Sequence, residues 1–118
     1  MNKIAFDYGH TITHHPDLVE LARSLRACGW SVYCITAVPE NWTNELEQSR
    51  VVHIAAMGLD GDLVRFVYHD LLGTHGTAYK AGLEKARVMR ELGVPVLIDD
   101  NSDVIQAVRD SGLTALQI

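Results

Sequence analysis

The sequence predicts an α/β domain built on a mostly parallel five-stranded sheet with helices on both faces. Three observations carry this expectation. Five short apolar runs alternate along the chain with segments of helical periodicity. Glycine and proline punctuate the boundaries between them. The 118 residues contain no repeat, low-complexity tract or linker, which suits one domain with a real core.

Residues 3–7 (KIAFD) read as a short buried strand. Residues 16–28 place Leu18, Leu21, Ala22 and Leu25 at helical spacing, with Pro16 near the start and Gly29 just past the end. Residues 31–36 (SVYCIT) give the second strand. A helix over 43–57 carries Leu46, Val51, Ile54 and Met57, and GLDGDL breaks it. The third strand is 63–68 (LVRFVY). A glycine-rich loop, LLGTHGT, leads into a helix over about 77–92 that Gly93 closes. VPVLID is the fourth strand, 102–111 a helix, and LTALQI the fifth strand. Strands alternating with helices form right-handed β-α-β units, hence the parallel sheet.

Composition narrows the function. The net charge of −5 gives no global attraction to nucleic acid or anionic membrane, although ten Lys and Arg leave room for a local basic groove. No apolar run approaches membrane-spanning length and the N-terminus shows no signal segment, so the expectation is a cytoplasmic protein with no membrane partner. Cys28 and Cys34, both flanked by apolar residues, read as reduced core residues rather than a disulfide or metal site.

In such a sheet the ligand site lies at the carboxyl ends of the strands, where strand order reverses. Those ends are Asp7, Thr36, His69 or Asp70, and Asp99–Asp100. The stretch IAFDYGHTITHHP is the densest of them: an apolar run stops at a carboxylate, and glycine, threonines and histidines follow at once.

A strand-terminal aspartate, a strand-terminal threonine, a lysine opening a later helix and an acidic pair after a further strand occur in a recognisable order. That order resembles the haloacid dehalogenase (HAD) superfamily, mostly magnesium-dependent phosphatases. Its first motif, D-x-D-G-T-[LV], corresponds to Asp7-Tyr8-Gly9-His10-Thr11-Ile12. Its strand-ending Ser or Thr corresponds to Thr36, its lysine to Lys80 in TAYKAG, and its acidic cluster to VLIDDNSD. The last third of the chain looks like the phosphatase domain of polynucleotide kinase-phosphatases, in which an acidic pair opens a helix, followed by a glycine and a strand ending in an apolar-Gln-apolar pattern. The resemblance implies a three-layer Rossmann-like HAD fold with strand order 3-2-1-4-5 and no cap domain. It thereby brings Asp7, Thr36 and Asp99–Asp100 to one place.

The chemistry gives each residue a reason. Asp7 would attack phosphorus in line, giving an aspartyl-phosphate that water hydrolyses. An anion attacking an anion needs charge neutralisation, which Mg²⁺ with hard oxygen ligands supplies. Asp7, the Gly9 carbonyl, Asp99 and Asp100 are the expected ligands; the resemblance favours Asp100, with Asp99 and Asp103 in support. Thr36 would hydrogen-bond a phosphoryl oxygen, and Lys80 would offset the charge of phosphate and Asp7. Each has a plainer reading: a strand terminator for Asp7 or Thr36, a helix N-cap for Asp99 or Asp100, a solvated side chain for Lys80.

The pattern breaks at Gly9, where the motif carries the aspartate that protonates the leaving oxygen and later activates water. His10 is the substitute acid-base group, since an imidazole can serve first as acid and then as base, against the reading that it is simply solvated. The set His10, His14, His15, His69 and His75 contains no pair with a metal-ligand framework. Without a cap the site is open, which suits a phosphorylated substrate, either a small molecule or a nucleic-acid end, or a protein partner or second copy covering the site. Trp42 or Tyr79 would offer stacking surfaces. Two classes follow: a Mg²⁺-dependent phosphohydrolase, and a catalytically weak or inactive HAD-like module that binds phosphate or a protein partner.

Overall fold

Strands and helices take turns along residues 2–70 and 76–118, the residues that the computed structural model describes. The strands are β1 (Lys3–Phe6), β2 (Ser31–Pro39), β3 (Val64–His69), β4 (Val96–Asp99) and β5 (Thr114–Gln117). The helices are α1 (Pro16–Ala27), α2 (Asn44–Ala56), α3 (Thr77–Leu92) and α4 (Ser102–Asp110). The sheet order is β3-β2-β1-β4-β5 and every neighbouring pair is parallel, as expected. Among the described residues no cap domain stands over the sheet, and no helix is long and apolar enough to cross a membrane. Most of the glycine-rich loop before α3, including His75, lies outside the described residues.

The pleat sorts side chains onto two apolar layers. Ile4, Phe6, Val32, Cys34 and Ile98 face a layer that includes Ala22 of α1 and Ile54 of α2. Ala5, Tyr33, Ile35 and Leu97 face the layer of α3 and α4, with Ala86, Met89, Val104 and Val108. The same alternation aims the site residues. Asp7 follows Ala5 by two and Asp99 follows Leu97 by two, so both point toward α3. Thr36 follows Cys34 by two and points toward α2.

Helix ends follow local chemistry. Thr43 caps α2 by accepting from the Leu46 N–H, and Asn101 caps α4 by accepting from the Asp103 and Val104 N–H groups. Gly93 ends α3 in the left-handed region, φ 71°. Gly82 inside α3 has a different purpose. A Cβ there would lie 2.7 Å from the Ala107 Cβ and 2.9 Å from the backbone of Val104, so glycine lets α3 and α4 close together.

Two boundaries differ from the sequence expectation by more than one residue. β2 runs three residues beyond Thr36 because β3 continues to pair with it, through Pro39 opposite His69. Thr36 is therefore inside a strand. It still reaches the rim, because β1 ends at Phe6, opposite Cys34. β4 begins at Val96, since Val94 is still tied to the end of α3 through Met89 O.

Candidate functional site

A cavity of about 480 Å³ opens at the carboxyl ends of β1, β2 and β4, lined in part by Asp7, Gly9, His10, Thr36, Arg50, His69, Lys85, Asp99 and Asp100. It forms where strand order reverses, with β2 and β4 on either side of β1.

Its acidic wall is buried. Asp7 is 8% exposed, Asp99 1% and Lys85 1%. The Lys85 ammonium donates to Asp7 Oδ1 at 2.7 Å and to Asp99 Oδ2 at 2.9 Å, so one cation joins the ends of β1 and β4. The fully buried Thr11 hydroxyl lies 3.0 Å from Asp7 Oδ2 and 3.1 Å from Asp100 Oδ1. It has one proton and satisfies one of these oxygens at a time. The turn holding Asp100 is fixed by the Asn101 N–H donating to Asp99 Oδ1 and by Gln117 Nε2 donating to the Asp100 carbonyl. The N-cap reading of the two acids is corrected: Asn101 caps α4, so neither Asp99 nor Asp100 is spent on that task.

Burial and charge set the titration of this wall. Asp99 is pushed up to about 6, chiefly by burial and further by the Asp7 carboxylate, against the opposing pull of Lys85. Burial would lower Lys85, but Asp7 and Asp99 outweigh it and hold its ammonium above the ordinary lysine range. The Cys34 thiol is pushed up to about 12 by burial and then by Asp7, which leaves it protonated and inert as a nucleophile. Cys34 is thus the core residue expected, whereas Cys28 is exposed; both are free thiols.

One ligand oxygen from each of Asp7, Asp99 and Asp100 lies within 4.8 Å of the others. Ligands of a magnesium octahedron are at most about 4.2 Å apart. The hard oxygen donors suit Mg²⁺ in kind, and the three would draw closer together around an ion, since cis ligands of such an octahedron are about 3.0 Å apart. When ionised, three carboxylates facing one ammonium leave two negative charges, the charge a divalent cation offsets.

The opposite wall belongs to β2 and α2. Arg50 donates to Thr36 Oγ1 at 2.8 Å, and its guanidinium lies 4.3 Å from the Tyr8 ring centre and 4.5 Å from that of Trp42. The Tyr8 hydroxyl is 2.5 Å from His53 Nδ1.

Between the walls runs an irregular turn, Tyr8–Ile12. Gly9 is extended (φ −67°, ψ 131°), and a Cβ there would meet nothing within 4 Å. His10 takes the left-handed conformation, φ 57°, alone among the described non-glycine residues. Its ring is exposed and 4.8 Å from that of His14.

Asp7, Gly9, His10, Thr36, Asp99 and Asp100 thus share one cavity. Lys80 does not line it: it is exposed near the start of α3, and Lys85 stands between the carboxylates instead. The physical reason is helical phase. Lys85 lies four residues after Ala81 and beside Ala86 on the buried stripe of α3, which faces the sheet. A lysine inside that apolar stripe was the signal to read. Tyr79, considered as a stacking surface, donates its hydroxyl to Asp110 and does not line the cavity. Asp103 is exposed on the first turn of α4. Arg50 had no motif to announce it.

Fold and site together define a Rossmann-like α/β domain with an open, acid-walled cavity at its topological switch point. No family model matches the chain, and no curated protein matches its sequence. Among solved structures it is similar to a protein of the universal stress protein family from Burkholderia pseudomallei. The identity is 17% and the TM-score 0.56, covering 99% of this chain and 95% of that one. It is also similar to MurG of Acinetobacter baumannii at 17% identity and TM-score 0.54, covering 99% of this chain but 34% of the MurG chain. These likenesses show a common fold.

Proposed function

We propose that the protein is a Mg²⁺-dependent phosphohydrolase of HAD type that works through an aspartyl-phosphate on Asp7. The observation that carries this reading is the carboxylate trio Asp7, Asp99 and Asp100, the first two buried and the third half-buried, with a single lysine among them. Such a cluster costs stability unless a cation completes it, and hard oxygen donors select a hard cation. A second support is the backbone of His10, whose left-handed φ falls where the resembled motif carries glycine.

Asp7, Asp99 and Asp100 would hold Mg²⁺, which when bound supplies Lewis-acid neutralisation of the phosphoryl oxygens. The remaining work falls to the chain. Lys85 fixes Asp7 through Oδ1. When the Thr11 hydroxyl donates its hydrogen bond to Asp100 instead, Asp7 Oδ2 is free to attack phosphorus, breaking the bond to the leaving oxygen. Water then cleaves the aspartyl-phosphate, releasing phosphate and restoring Asp7. The leaving oxygen takes its proton from His10 or from solvent, since Gly9 has none to give.

Gly9 also favours a second reading, a phosphate-binding module with little or no turnover. The experiment compares Mg²⁺-induced thermal shifts and hydrolysis of p-nitrophenyl phosphate and 3'-phosphorylated oligonucleotides. Mg²⁺ is expected to raise the melting temperature, and the Asp7→Asn, Asp100→Asn double variant to abolish that shift. Asp7→Asn should abolish turnover. Gly9→Asp should raise it by tenfold or more, toward the ~10²–10⁴ typical of a positioned acid-base group, because backbone and space both accept the new side chain. A double variant that keeps the full Mg²⁺ shift sinks the metal site. Mg²⁺ binding without turnover, even in Gly9→Asp, selects the binding module.

A further inference from the structure

Arg50 stands across the cavity from the acid cluster. It is half-buried, lines the cavity, and forms no ion pair with a carboxylate among the described residues. Its guanidinium carbon lies over the rings of Tyr8 and Trp42, 4.3 Å and 4.5 Å from their centres. Faces of this kind attract a guanidinium and hold its orientation. The bond to Thr36 Oγ1 fixes it further and uses one of five N–H donors. Because Thr36 accepts from Arg50, its own hydroxyl proton is left to donate elsewhere. Thr36 is 1% exposed, so this contact sits at the buried base of the wall.

A cation held this firmly, with no carboxylate partner among the described residues, is poised for an anion. We propose that Arg50, with the Thr36 hydroxyl, forms an oxyanion subsite that takes the non-bridging oxygens of a phosphoryl group, with Tyr8 and Trp42 positioning the guanidinium. Its planar fork of donors matches phosphate oxygens, and charge-assisted pairs of this type are strong. The cavity is thus divided by charge: the acid wall takes the divalent cation, the Arg50 wall takes the anion, and a phosphoryl group spans the two. This inference rests on the phosphoryl-transfer reading of the site.

The test measures inorganic phosphate binding by titration calorimetry in saturating Mg²⁺, alongside the Mg²⁺ thermal shift. Wild type should bind phosphate. Arg50→Ala should weaken it by at least about tenfold while leaving the Mg²⁺ shift unchanged, and Arg50→Lys should recover part of the loss, keeping charge but not the fork. Trp42→Ala should weaken phosphate binding less than Arg50→Ala does, and Trp42→Phe should restore it. Phosphate affinity within twofold of wild type in a folded Arg50→Ala protein overturns the inference and leaves the functional reading standing. A wild type that binds Mg²⁺ but no phosphate also overturns the inference; one that takes up neither overturns the functional reading itself.

Discussion

On the side of the cavity formed by β1, β4 and α3, Asp7, Asp99 and Lys85 are almost wholly buried and satisfy one another by ion pairs. On the side formed by β2 and α2, Arg50 is half-buried and held by two aromatic faces and one hydroxyl. The first wall has neutralised only part of its charge in a dry place. The second holds, near water, a charge with no ion-pair partner among the described residues. A buried ion cluster is rigid and sensitive to the loss of any member, because each loss strands a desolvated charge. A stacked guanidinium tolerates change, because water is at hand to solvate what is left. The contrast predicts large stability effects on the acid wall, and on the arginine wall binding effects that spare the fold.

Removing the ammonium of the acid wall is the most damaging change. Lys85→Met keeps the length and apolar stem of the side chain but leaves Asp7 and Asp99 facing each other. The expected loss is about 3–5 kcal/mol, read as a fall in the urea midpoint in EDTA. Mg²⁺ should restore part of it by placing positive charge between the same oxygens. An unchanged midpoint would mean that Lys85 is not the group that balances the acids. Lys80→Met, on the exposed start of α3, should change stability by no more than about 0.5 kcal/mol.

Asp99 gives the next effect, and it depends on pH. Its folded-state value of about 6 lies above its ordinary 3.8. Between those values the folded protein holds a proton that the unfolded chain has released. Its contribution to stability therefore falls as pH rises through this window and stays lost above it. The full difference corresponds to at most about 3 kcal/mol. Asp99→Asn removes this titration while keeping an oxygen for Lys85 to meet. In EDTA, the stability of wild type relative to the variant should decline from pH 4 to pH 6 and be level above pH 7. A relative stability independent of pH across that range would show that Asp99 is not desolvated as its burial indicates. Mg²⁺ should reverse the ranking at neutral pH, since wild type alone keeps the full carboxylate set.

These two residues also mark how far the sequence could be read. The strand order was inferred from a resemblance, and the elements from periodicity and punctuation, which are local signals. Asp7 and Asp99–Asp100 were legible because each stops an apolar run where the fold class puts its site. Lys85 was missed, although it lies five residues from the lysine expected. A charge in an amphipathic helix reads as surface unless it is set against the phase of the apolar stripe, and Lys85 falls inside that stripe with Ala81, Ala86 and Met89. Arg50 was less legible still. Its partners come from positions 8, 36 and 42, and only the pairing of β2 with β3 beyond the end of β1 brings Thr36 to the rim. Side chains that act through long-range packing leave little trace in local pattern.

The smallest effect lies in the turn that joins the two walls. His10 has φ 57°, a conformation that costs an L-residue about 1 kcal/mol or more and costs glycine nothing. His10→Gly should relieve that strain, though glycine also loosens the unfolded chain. The net gain is therefore below about 1 kcal/mol, seen as a slightly higher melting temperature in EDTA. His10→Ala keeps the strain and loses the ring contact with His14, so it should be neutral or slightly destabilising. Comparing the two variants separates backbone from imidazole. If the ring donates the proton to the leaving oxygen, both variants lose turnover to the same extent although one is more stable than the other. If the proton comes from solvent, both retain turnover, and His10→Gly keeps its small gain. A His10→Gly protein less stable than His10→Ala would show that the turn is not strained at this position. The left-handed backbone would then no longer support aligning His10 with the motif glycine.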